Sequence, residues 1–234
     1  SDLALELLSK DHALSADDLA LGVELARLLQ RLPQLTGGAQ PQGESPLLRL
    51  SRDGETALEL PRHTYAALDC AFAGQRAAYL RLFREGRLAG DERLLFDGWT
   101  LTPADRSQLN NWRRRSVAVV GRGVPFRLPA AGQREADLSP EEAARLMGFA
   151  ALDREALLRL ARRPMQTADD ESDALRARFA LLLLRRPPLL VFDAFGCAPE
   201  TVREVCAYLR LLCYDKLAAV LVLQGAEMDR PGKR

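Results

Sequence analysis

The sequence predicts an α/β fold built on a mostly parallel sheet. Strand-like and helix-like segments alternate from residue 44 onward. Two of the strand-like segments, Leu189–Phe192 and Ala218–Leu223, are apolar at every position. A strand with one face in water alternates apolar and polar side chains; an unbroken apolar run belongs to a strand covered on both faces, as in sheets with helical crossovers. The 234 residues are 47% hydrophobic and 28% charged, which suits one sizeable core and excludes a disordered chain.

In chain order, residues 1–36 read as helix. Ser15-Ala16-Asp17-Asp18 is a good start signal, and Leu19, Leu21, Leu25, Leu28, Leu29 and Leu32 keep a helical apolar stripe. The stretch Gly37-Gly38-Ala39-Gln40-Pro41-Gln42-Gly43 reads as a linker. The division is therefore a helical extension and linker over 1–43 and a main domain over 44–234. The extension is acidic, with six acids against Lys10, Arg27 and Arg31. Next, Leu47–Leu50 and Thr56–Leu60 flank Asp53-Gly54, a hairpin signal. Tyr65–Leu68 is a short strand, Gln75–Arg84 a helix, and Arg93–Phe96 a strand ended by Asp97-Gly98. Thr102-Pro103-Ala104-Asp105 predicts a helix start, with a capping threonine and proline in the first helical position. Val117–Val120 is strand. Ser139-Pro140-Glu141-Glu142 opens a helical region that runs to about Arg163. Asp173–Arg186 and Pro199–Tyr214 are helices on either side of the Leu189–Phe192 strand.

Charge and cysteines narrow the function classes. The net charge is +1, which argues against a protein that lives on nucleic-acid phosphates. No apolar run has the length of a membrane span, and the N-terminus lacks the pattern of a signal peptide, so a soluble cytoplasmic domain is expected. The four cysteines lack metal-ligand spacing. Cys206 and Cys213, seven apart, share a helix face and read as buried thiols. His12 and His63 have no catalytic companions nearby, so no triad is visible. Trp99 and Trp112 are expected to pack. Arg113-Arg114-Arg115 is expected to be a solvated face.

In such a fold, ligands bind at the carboxyl ends of the strands. Following the strands are Asp69-Cys70-Ala71-Phe72-Ala73-Gly74-Gln75-Arg76-Ala77, Asp193-Ala194-Phe195 and Gln224-Gly225. In these segments the chain resembles the ATPase domain of ABC transporters, most of all the ATPase subunit of the bacterial Mla phospholipid transporter. From Glu55 to Gly98 it lays onto that family's pattern without a gap, and Arg185-Arg186-Pro187-Pro188-Leu189-Leu190-Val191-Phe192-Asp193 resembles the end of the signature helix and the Walker B strand. The resemblance runs over roughly residues 46–225. It implies an ABC-type, P-loop-like nucleotide-binding domain with a helical subdomain at about 127–172, the 1–43 extension being extra.

The residues that would do the family's chemistry do not carry over. The positions matching the glycine-rich phosphate loop are Cys70, Ala73, Gln75, Arg76 and Ala77. Glycines are needed there so that backbone N–H groups can approach phosphate closely. Gln75 brings a long side chain, the Arg76 guanidinium is no equivalent of a compact ammonium, and Ala77 has no hydroxyl for magnesium. Asp193 sits at the Walker B aspartate position, and Ala194 where the catalytic glutamate belongs. Such general-base help is worth about 10²–10⁴ in rate. The Q-loop glutamine position falls on Gly121, the switch histidine on Gln224, and the signature on Asp169, Asp170, Glu171, Ser172 and Asp173. Facing a partner's γ-phosphate, those carboxylates would repel it by about 1 kcal/mol per charge pair at 4 Å even in bulk water. A solvated helix start is the plainer reading of the acidic run. No aromatic residue lies between Thr36 and Thr64 to stack on adenine. Arg76 is expected to pair with Asp193, and Asp193 to cap the following turn.

The resemblance thus implies a pseudo-ATPase: no catalytic residues, no bound metal, and no ATP or other cofactor expected. Its implied partners are an active ABC ATPase subunit, or a second copy, and a membrane permease. It would be peripheral to the inner membrane through those partners, without inserting itself. The permease-docking groove is expected near Gly121–Phe126 and Asp137–Leu160. Two alternatives stand beside this reading. One is a scaffold or regulatory module that kept the fold without transport; the other is an ATPase with a non-standard site.

Overall fold

The computed structural model describes residues 46–126 and 138–225. The chain divides into two units, Ser1–Glu44 and Ser45–Arg234, and all described residues lie in the second. The expected helix over 1–36, its linker and His12 lie outside the described residues, as does the stretch 127–137 of the expected helical subdomain.

The elements are β1 (Leu48–Arg52), β2 (Glu55–Leu60), β3 (Tyr65–Cys70), α1 (Ala73–Glu85), β4 (Glu92–Phe96), β5 (Trp99–Leu101), α2 (Arg106–Ser116), β6 (Val117–Gly121), α3 (Pro140–Leu146), α4 (Arg154–Ala161), α5 (Ala168–Leu183), β7 (Leu189–Asp193), α6 (Pro199–Tyr214) and β8 (Ala219–Gly225). They form an α/β fold with two four-stranded sheets. One has the order β3-β8-β7-β6 and is parallel throughout; the other is antiparallel, in the order β2-β1-β4-β5.

The apolar strands are explained by two cores on opposite faces of the parallel sheet. Leu190, Phe192, Val220 and Val222 point into one, together with α3 to α6. Leu189, Val191, Leu221 and Leu223 point into the other, against α1, α2 and the antiparallel sheet. Phe179 of α5 meets Phe192 edge-on, with centroids 5.9 Å apart. Trp112 packs between Phe83 and Phe96 as expected. Trp99 does not pack: it is 73% exposed, on β5, which is an edge strand among the described residues.

Local signals are mostly obeyed. Asp53 and Gly54 both have positive φ and make the β1–β2 turn. Ser139 caps α3 in a full capping box with Glu142. The helical region expected from Ser139 to about Arg163 consists of two helices, α3 and α4. Gly148, at φ +76°, turns the chain after α3, and Asp153 caps α4 through the Ala156 N–H. The helix expected from Asp173 starts earlier, where Thr167 caps α5. Thr102 caps nothing. Its N–H and hydroxyl both donate to the Asp105 carboxylate at 2.8 Å, which closes a turn and delays α2 to Arg106.

Candidate functional site

The carboxyl ends of β3, β7 and β8 place the strand-following residues side by side. Asp193 ends β7 and is completely buried. Arg76, in the first turn of α1, reaches across from the neighbouring element. Its Nε donates to Asp193 Oδ1 at 2.8 Å and its Nη2 to Oδ2 at 2.6 Å. The expected pairing is therefore present and bidentate, the strongest geometry for these two groups. The carboxylate raises the Arg76 pKa further, chiefly through these hydrogen bonds. Asp193 is thus committed to a cation rather than capping the next turn. The Arg76 guanidinium also lies over the Phe195 ring, 4.5 Å from its centroid.

Gln75 is the second occupant. Its Oε1 accepts the Ala71 N–H at 2.9 Å. That N–H belongs to the loop whose backbone donors would have to cradle a phosphate. One of the loop's donors is thus satisfied by the chain's own side chain. Phe72, the residue before α1, is 67% exposed and lies against Gly74, where an added Cβ would be 3.4 Å from the ring.

Gly121 ends β6 beside Asp193. A Cβ there would be 2.7 Å from the Asp193 carbonyl oxygen and 2.8 Å from its Cβ. No side chain, and so no glutamine, fits that position in this arrangement. Ala194 is fully buried. Gln224 donates to Asp69 Oδ1 at 2.9 Å. Ala77 is exposed and has only a methyl group to offer. Cys70 is buried, and burial, with the nearby Asp193 as the next cause, pushes its thiol upward. It packs as a thiol and is a poor nucleophile. Cys206 and Cys213 are buried as expected, and burial pushes Cys213 up to about 12.

Asp69, at the end of β3, is engaged by Gln224, and it stands two strands away from the Arg76–Asp193 pair. Gln75 takes one N–H of this loop, and Arg76 takes the carboxylate that a magnesium ion would need.

The acidic run at the start of α5 corrects two expectations. It is neither a solvated helix start nor a row of carboxylates facing outward. Glu171 and Ser172 are buried. Glu171 Oε2 accepts the Ala198 N–H at 2.8 Å, and Oε1 pairs with Arg122 at 3.2 Å. The Ser172 hydroxyl donates to Glu204 at 2.6 Å, and Arg176 pairs with Asp173 at 2.6 Å. Asp170 pairs with Arg163 at 2.9 Å. Asp169 is left exposed. Glu171 ties the signature position to the start of α6.

Phe195 and Asp69 were read among the strand-following residues but given no role. Both follow or end the very strands singled out, and the signal was their adjacency to Asp193 and Cys70. Arg122, next to Gly121, was missed because its partner Glu171 lies on another element. Among the described residues, no cluster of His, Cys, Asp and Glu could hold a metal ion, and no helix is long and apolar enough to cross a membrane.

A groove of about 680 Å³ opens elsewhere, beside the free edge of β6. It includes Val124, Pro125 and Phe126, within the expected docking region. Its other walls are the ends of α1 and α2 and the end of α5; among the described residues, none of 138–160 lines it. Arg113, Arg114 and Arg115 form its rim rather than a plain solvated face, and Arg113 donates to the Arg84 carbonyl at 3.0 Å.

No protein-family profile matches the chain, and no curated protein matches it. Solved structures similar to it include three. The first is cbiO1 of Clostridium perfringens, part of the ABC transporter complex cbiONQ; it is 17% identical over 78% of this chain and 79% of that one, with a TM-score of 0.48. The second is an ATP-binding cassette of an ABC transporter in its ADP conformation, 10% identical over 78% and 82%, TM-score 0.48. The third is a dimeric ATP-binding cassette in a post-hydrolysis state with ADP and Pi, 17% identical over 79% and 88%, TM-score 0.44.

Proposed function

We propose that this domain is an ABC-ATPase-like domain that does not hydrolyse ATP and acts through its surfaces. The observation that carries the proposal is the self-occupied site: Arg76 holds Asp193 and Gln75 holds the Ala71 N–H. A hydrolytic site needs open donors for phosphate, a carboxylate for magnesium and a base for water. Here the Ala71 N–H and the Asp193 carboxylate are engaged internally, and Ala194 supplies no base. The domain would pair with an active ATPase subunit or a second copy, dock on a membrane permease and so sit peripherally at a membrane. A lipid-transport complex of the bacterial envelope is the setting that the Mla-like resemblance favours.

A steady-state phosphate-release assay tests the enzymatic half of this. The purified chain with magnesium and ATP is expected to release no phosphate above an enzyme-free blank. Turnover that disappears on Arg76→Ala would overturn the proposal, because the side chain named as the blocker would then be serving catalysis.

A further inference from the structure

The parallel sheet ends on β3, and among the described residues nothing pairs with that edge. Ala67 and Asp69 are exposed and Tyr65, Ala66 and Leu68 are half-buried, whereas β7 inside the sheet is buried throughout. Edge strands usually carry a guard against pairing: a charge, a proline, a bulge or shortness. In the antiparallel sheet, β2 carries Glu55 and Glu59, and β5 has three residues. β3 has six residues, with neither proline nor lysine among them. It runs beside β8 from Tyr65 opposite Val220 to Cys70 opposite Gly225 without a bulge.

One hydrogen bond fixes the direction of its free groups. The Val220 N–H donates to the Thr64 carbonyl at 2.9 Å. Backbone groups alternate sides along a strand, so those of Thr64, Ala66 and Leu68 face β8. Those of Tyr65, Ala67 and Asp69 face outward.

Charge adds an independent observation. The Arg210 guanidinium of α6 lies over the Tyr65 ring, 4.6 Å from its centroid, and among the described residues no carboxylate pairs with it. Asp69 shares the face of Tyr65 at the far end of the strand. Its Oδ1 accepts from the Gln224 amide at 2.9 Å, and among the described residues no cation pairs with it. The open edge therefore has a cation at one end and an anion at the other. Such an edge is complementary to a copy of itself running the opposite way.

We infer that β3 pairs with β3 of a second copy, antiparallel about a two-fold axis through Ala67, so that the two parallel sheets become one. In that register Ala67 exchanges backbone hydrogen bonds with the partner's Ala67, and Tyr65 with the partner's Asp69, so the outward groups of the strand are all used. Residues paired in this way lie about 5.5 Å apart at Cα, which brings the partner's Asp69 carboxylate to the Arg210 guanidinium. The two-fold axis makes the contact twice. On the other face Leu68 meets the partner's Ala66. Centring the axis on Ala66 or Leu68 instead would take Asp69 away from Arg210 and leave outward groups unpaired. The inference goes beyond the proposed function, which names a second copy but no surface for it, and rests on that reading only in treating the domain as one that acts through its surfaces.

Sedimentation velocity of the full chain without nucleotide, from about 1 to 100 μM, reads the pairing as a concentration-dependent dimer. Ala67→Pro removes the outward N–H at the axis while keeping a backbone that an edge strand tolerates. It should weaken the dimer about tenfold or more and leave the circular dichroism spectrum of the folded chain unchanged. Arg210→Glu sets like charges against Asp69 and should also weaken the dimer. Adding Asp69→Arg in the same chain should restore it, which a merely structural role of either residue would not produce. That rescue decides the matter even where Ala67→Pro fails to fold. A monomer across the whole range, a dimer indifferent to folded Ala67→Pro, or no rescue by the second exchange would overturn the inference. So would species larger than a dimer, or a dimer that forms only with magnesium–ATP. Phosphate release is measured separately: turnover by a chain that still pairs through β3 would defeat the proposed function and leave the pairing standing.

Discussion

Replacing Arg76 by Ala should cost more stability than replacing Asp193 by Asn, although the two changes break the same pair. Asp193 has no solvent access, so removing Arg76 leaves a buried carboxylate without its cation. Breaking a buried pair in this way costs about 3–5 kcal/mol. The Arg76 side chain is 29% exposed, so water can reach part of the gap, and the lower end applies. Losing the guanidinium from the Phe195 face adds a little. We expect about 2–3 kcal/mol for Arg76→Ala. Asp193→Asn keeps the shape and leaves a cation that can turn to water, so about 1 kcal/mol is expected. For a chain of this size the first corresponds to a fall of about 5–10 °C in Tm. Urea unfolding followed by circular dichroism measures both, and the double variant closes the cycle. A loss below about 0.5 kcal/mol for Arg76→Ala, or a larger loss for Asp193→Asn, would mean that Arg76 is not what compensates the buried Asp193 carboxylate.

Other sites give sharper structural tests. Gly148→Ala would place a Cβ 2.2 Å from the Tyr208 ring at φ +76°, so it should cost about 2–4 kcal/mol in the same unfolding assay. Trp112→Ala, deep in the core under the antiparallel sheet, should cost about 3–5 kcal/mol, whereas Trp99→Ser on the exposed edge should stay within about 0.5 kcal/mol. The Glu142 carboxylate is held below its usual range first by the Ser139 N–H and then by its hydroxyl. Its contribution is complete above the unfolded pKa and is lost as pH falls through the lower folded one. An acid titration of stability should therefore show a shallower limb in Glu142→Gln, and an unchanged limb would contradict the capping box.

The fold was readable wherever burial alone decides. Leu189–Phe192 and Ala218–Leu223 are apolar at every position because both faces of the sheet are covered, and periodicity reports that directly. Ser139 and Asp53-Gly54 were readable because capping and hairpin turns are settled within a few residues. Thr102 misled because its hydroxyl had a closer taker in Asp105, a competition within one turn that a capping pattern does not reveal. The short β5 was invisible, since three residues carry no period. At the site, the pairing of Arg76 with Asp193 spans 117 positions and was legible only through the placement of both at strand ends. Glu171 was misread because an acid at a helix start looks solvated until the Arg122 contact and the Ala198 N–H come into view.

On the proposed function, side chains of the chain itself stand in the place of a nucleotide. Calorimetric titration of magnesium–ATP into the full chain is the decisive measurement. No saturable heat is expected up to millimolar ATP. Saturable binding in the micromolar range, lost on Arg76→Ala, would contradict it, because Arg76 would then be holding phosphate rather than Asp193.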